Sequence, residues 1–151
     1  IVLGLNDALV EITGLLAGLT LALQHSKIIA TAGLISGIVA SLSMASSEYL
    51  SIKSESSHKN AIKSALYTGI TYITTVLFLI FPYFIINRIY LALTWTLLNA
   101  IIIIFIFSYF SSKKGKSFYK KFFEILIISA SVSLISFIIG YFIRISFGIK
   151  V

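Results

Sequence analysis

Long apolar runs separated by short polar gaps dominate the chain. Runs at about 1–23, 28–51, 62–86, 89–110 and 120–147 each approach the roughly 20 residues a helix needs to cross a bilayer core. The gaps are Gln24 to Lys27, Ile52 to Ala61, Asn87–Arg88 and Ser111 to Tyr119. Together they predict an all-α integral membrane protein, with residues 1–151 forming a single domain of five transmembrane helices.

The polar residues inside the runs refine that picture. In the first segment Gly4, Asp7, Glu11, Gly14 and Gly18 step by three and four residues, which is one face of a helix. Two carboxylates therefore share a stripe with three glycines at membrane depth, where ionisable groups are costly and usually functional. The second segment carries Gly33, Gly37, Ala40 and Met44, then Ser47 and Glu48. A turn this short predicts an antiparallel hairpin. Centring it between His25 and Ser26 sets Gly18 opposite Gly33, Gly14 opposite Gly37, Glu11 opposite Ala40 and Asp7 opposite Met44. The expected seam has glycine against glycine in one half and Asp7, Glu11, Met44 and Glu48 at similar depth in the other. Its second wall is either the second helix or a second copy of the chain.

Further along, Pro82 is expected to kink or end the third helix, because it has no N–H to donate. The fourth segment, rich in Ile and Phe, is expected to face lipid most. Ser129, Ser133, Ser136 and Gly140 form a small-residue stripe on the fifth, suited to close helix packing.

Composition agrees with the pattern: 58% of residues are hydrophobic and only 11% charged, against about 25% charged in soluble domains. The net charge of +7 comes from 12 basic and 5 acidic residues. Lysines at 53, 59, 63, 113, 114, 116, 120 and 121 lie at one end of the predicted bundle, with only Lys27, Arg88, Arg144 and Lys150 at the other. Positive residues favour the cytoplasmic side, so the N-terminus is expected inside and the C-terminus outside. The basic excess suits lipid headgroups, and no basic-aromatic patch points to nucleic acid. There is no cysteine, which excludes disulfides and thiolate metal sites. Too few histidines and acids are present for an intramembrane di-iron enzyme, and no nucleophile–base pair or phosphate loop appears. The expected protein is not an enzyme.

Carboxylate oxygens suit hard or borderline divalent cations, and a thioether favours softer transition metals over Mg²⁺ and Ca²⁺. Met44 is the chain's single methionine. Metal and protons compete for the same carboxylates, which is the physical basis of exchange between them. A membrane scaffold associating through its glycine stripes is the competing expectation.

The strings Gly4-Leu-Asn-Asp-Ala-Leu-Val-Glu-Ile-Thr-Gly-Leu-Leu-Ala-Gly18 and Gly33-Leu-Ile-Ser-Gly-Ile-Val-Ala-Ser-Leu-Ser-Met-Ala-Ser-Ser-Glu-Tyr-Leu50 resemble the vacuolar iron transporter family. The resemblance implies a five-helix homodimer joined through its first helix. It implies export of Fe²⁺, and often Mn²⁺, from the cytosol in exchange for protons, with the metal as substrate and no permanent cofactor. By position, Asp7 and Met44 match the family's transport-site Asp and Met, and Glu48 matches an acidic position common after that Met. Glu11 falls where many members are uncharged, so its metal role rests on depth and spacing alone. Eukaryotic members insert a Glu-rich metal-binding domain between helices two and three. Here that gap holds only Glu55 and His58, whose spacing would set two ligands on one helical face at a cytoplasmic mouth. Some relatives carry a ferritin-like domain ahead of the first helix, an expectation open for this chain because it starts at Ile1. Short gaps and no visible targeting segment suggest a prokaryotic plasma membrane.

Overall fold

The computed structural model describes residues 2–55, 58–112 and 118–148, with side chains described at 4–54, 60–110 and 118–148. It contains α1 (Val2–Leu23), α2 (Ser26–Glu55), α3 (His58–Ile85), α4 (Ile89–Ser112) and α5 (Phe118–Phe147). All five are long and apolar enough to cross a membrane. No strand occurs among the described residues, as a bilayer requires of a chain this apolar. Helices satisfy their own backbone groups where no water can. Hydroxyls inside the spans fold back on the preceding turn in the same spirit, as Thr20 Oγ1 does to Leu16 O at 2.6 Å.

Successive helices alternate in direction. α1 runs parallel to α3, with contacts 61 residues apart at Glu11–Tyr72 and 63 apart at Thr20–Tyr83. α1 also runs parallel to α5, and α2 runs antiparallel to α3 with Gly33 against Ile80 and Gly37 against Val76. The core lies where α1, α2 and α3 meet, around Ile12, Leu16, Ile29, Tyr72, Val76 and Ile80.

The glycines do not face each other across the first hairpin. A Cβ added to Gly140 of α5 would lie 2.1 Å from Gly18 O, and one added to Gly18 would lie 2.9 Å from Ser136 O. Gly14 meets Val132 and Ser136, while Gly4 meets Thr68 of α3. The expected seam is therefore split. Gly14 and Gly18 admit α5, whose small-residue stripe receives them, Gly37 admits α3, and Gly33 lies against both Leu16 of α1 and Ile80 of α3. The physical reason is that backbone approach is set by the helices a chain packs against, which need not be its neighbours in sequence.

Three further expectations change. The polar stretch Ile52 to Ala61 reads as a ten-residue gap, yet α2 runs on to Glu55 and α3 starts at His58. Hydrophilic residues end a membrane span without ending a helix. Second, α5 has a smaller buried share than α4, 17% against 28% of the most apolar stretch, so α5 and not α4 leaves most of its span exposed in the single chain. Third, of the two outcomes expected at Pro82 the helix does not end there: α3 continues to Ile85. The missing N–H leaves Phe78 O without its usual helical donor, and Asn99 Nδ2 of α4 donates to it at 3.3 Å. One residue on, Thr96 Oγ1 donates to Leu79 O at 2.8 Å. Asn99 thus supplies the donor that the proline of α3 lacks, and Thr96 adds a second tie beside it.

The far end of the bundle is tied through Ser26. Gln24 takes a left-handed φ of 52°, turning the chain tightly into α2. Ser26 Oγ then lies 2.6 Å from Tyr83 O and 2.7 Å from Ile86 O, sharing its proton between carbonyls at the C-terminal end of α3. Thr20 Oγ1 and Tyr83 Oη are 2.6 Å apart beside it. Ser26→Ala is expected to cost about 1 kcal/mol, since single interhelical hydrogen bonds in membranes average somewhat less and this hydroxyl serves two acceptors. Unfolding in mixed detergent micelles checks this; an unchanged midpoint would count against the tie.

Candidate metal site

Asp7 and Glu11 lie one turn apart on α1, both exposed in the single chain. With a rise of 1.5 Å per residue, Glu11 sits about 6 Å deeper along the helix. Like charges at this spacing repel, destabilising an isolated helix by a few tenths of a kcal/mol, and by more where water is scarce. A cation between them removes that conflict.

Both acids open into a cleft of about 530 Å³ between α1 and α2, shared with Ser36, Ala40, Ser43 and Met44. Met44 is half-buried and lines the cleft from α2, across from the acids of α1. Depths agree through α3 as well. Gly69 packs against Ser41 and Ala45 of α2, and the offset of 61 to 63 between α1 and α3 brings Asp7 level with it. The depth register expected from the short turn therefore holds, although the glycine neighbours differ.

The structure supplies a partner that sequence reasoning missed. Tyr72 of α3 is fully buried, and its hydroxyl donates to Glu11 Oε2 at 2.5 Å. A tyrosine in mid-span needs a partner for its hydroxyl. That requirement, in a segment already rich in Thr and Tyr, was the available signal. Glu11 also lines the cleft, so this hydrogen bond ties the cleft wall to α3.

Glu48 stands apart. Its Oε1 accepts a hydrogen bond from Ser64 Oγ of α3 at 2.7 Å, and it is not among the residues lining the cleft. Asp7, Glu11 and Met44 are brought together, while Glu48 is turned towards α3. Among the described residues no group of three His, Cys, Asp or Glu side chains gathers at one point. The donors in this cleft are two carboxylates, one thioether and serine hydroxyls. Glu55 ends α2 and His58 begins α3, so the two belong to different helices and not to one helical face; their side chains lie outside the described residues.

Five apolar spans, with an open cleft between the first two, define the class: an integral membrane protein with ionisable groups lining a cleft of its bundle. Residues 1–62 match the model of the VIT family, and this match supports membership of the vacuolar iron transporter family. It covers α1, α2 and the start of α3, the part that builds the cleft. No curated protein matches the chain.

Proposed function

We propose that the protein moves a divalent transition metal, Fe²⁺ first and Mn²⁺ second, across its membrane through the cleft between α1 and α2. The observation that carries this reading is the meeting of Asp7, Glu11 and the chain's single methionine in one cleft. Two carboxylates bind the cation and the thioether biases the site against Mg²⁺ and Ca²⁺. Proton exchange follows from the same groups, because metal release is favoured when its carboxylate ligands take up protons. The VIT-family match, which suggests membrane metal transport in general, supports the reading.

Glu48 is assigned to the approach to the site, beyond the cleft itself. The lysine-rich end is assigned to the cytoplasm, in a prokaryotic plasma membrane. A second copy of the chain is assigned to the cleft's open side, for a physical reason. Ile35 and Val39 on its rim are 60% and 61% exposed, and lipid against neighbouring carboxylates would be costly. The scaffold reading is weaker because Gly14, Gly18, Gly33 and Gly37 already face atoms of their own chain.

The test is reconstitution. Liposomes holding the protein, with a metal-quenched dye and a pH dye inside, should take up Fe²⁺ and Mn²⁺ but not Mg²⁺, with proton movement in the opposite direction. Equal rates in protein-free liposomes would refute transport; uptake without a pH change would refute exchange alone.

A further inference from the structure

A cation reaching Asp7 meets an electrostatic obstacle. The end of the bundle at which Asp7 lies also gathers the last turns of α2 and α4 and the first turns of α3 and α5. Eight of the chain's 12 basic residues belong to this end by sequence. Such a rim repels divalent cations unless anions neutralise it.

The start of α5 sets two lysines beside a cluster of aromatic rings. Lys120 is exposed, and Lys121 Nζ lies 5.0 Å from the centroid of the Phe107 ring of α4. In the same two turns Phe118 and Phe122 stack with centroids 5.9 Å apart, and Phe105 of α4 meets Phe118 edge-on at 5.3 Å. Phe105 is exposed, while Phe107, Phe118 and Phe122 are half-buried; rings beside lysines at the end of a span mark the interface, where rings sit at headgroup depth and ammonium groups reach phosphates. Juxtamembrane lysines attract anionic lipid at close range.

We propose that the α4–α5 junction binds the phosphate headgroups of anionic phospholipid through Lys120 and Lys121 over this aromatic floor. The bound lipid neutralises the rim and admits cations to the cleft, a consequence that rests on the transport reading above. The source of the phosphate is a bilayer lipid and not a soluble anion, because the aromatic floor would engage the glycerol and acyl region.

Thermal unfolding of the full chain in neutral detergent tests the site. Added phosphatidylglycerol should raise the midpoint by roughly 3 °C, as expected for a ligand well above its dissociation constant. Phosphatidylcholine, glycerol phosphate and inorganic phosphate should not. The surface variant K120Q/K121Q should lose at least half of the shift, and raised salt should shrink it in the parent. An equal shift with phosphatidylcholine, with the soluble phosphates or in the variant would overturn the site. Metal uptake in phosphatidylcholine liposomes with and without phosphatidylglycerol tests the consequence, with several-fold faster uptake expected in the charged membrane. Lipid-independent uptake overturns the neutralising role, whereas absent uptake in both membranes refutes transport and leaves the unfolding result to decide the lipid site.

Discussion

Uptake of Fe²⁺ or Mn²⁺ at limiting concentration should fall by roughly tenfold or more in Asp7→Ala, the equivalent of at least 1.4 kcal/mol of lost cation stabilisation. Asp7 supplies one of the two carboxylates of the cleft, and Glu11 has one oxygen already engaged by Tyr72. Removing Asp7 therefore halves the cleft's negative charge. Asp7→Asn keeps the shape and one neutral oxygen, and should lose nearly as much, because divalent ions discriminate strongly for charge. Folding should survive both changes: Asp7 is exposed in the single chain, so truncation opens no internal cavity. Initial rates in proteoliposomes, normalised to folded protein by size-exclusion chromatography, decide the matter. Parent-like uptake by Asp7→Ala would remove the residue from the site.

Depth was legible before the fold was known; neighbours were not. The short turn at Gln24–His25 allowed residues to be paired by level, and Asp7 and Met44 do share one cleft. Counting along a hairpin fixes height along two helices but says nothing about rotation towards a third. Gly18 accordingly meets Ser136 and Gly140, more than a hundred residues away. The same blindness hid Tyr72 as the partner of Glu11 and Ser64 as the partner of Glu48. Spans were readable because apolar length is a direct demand of the bilayer. Helix ends were not, since α2 continues through the polar residues Lys53 and Ser54 to Glu55. Pro82 was recognised as a break in backbone bonding, while its remedy by Asn99 needed the packing of α4 on α3.

Tyr72→Phe should raise the KM for metal about tenfold with little change in maximal rate. Hydrogen bonds to charged groups are worth about 1.5–3 kcal/mol, and part of that returns when water in the open cleft replaces the phenol. The tyrosine is a positioning residue: it touches Glu11 and does not line the cleft. A residue important only for stability would lower the folded fraction instead, so unfolding of the variant in detergent must be measured beside its kinetics. The discriminating measurement is a double-mutant cycle with Glu11→Gln. If Tyr72 acts through the Glu11 carboxylate, the double variant should bind metal no more weakly than Glu11→Gln alone, as followed by competition with a fluorescent chelator. Additive losses would mean that Tyr72 serves the site by another route. Equal affinity in all four proteins would remove Glu11 itself from the ligand set, leaving Asp7 and Met44 to hold the ion.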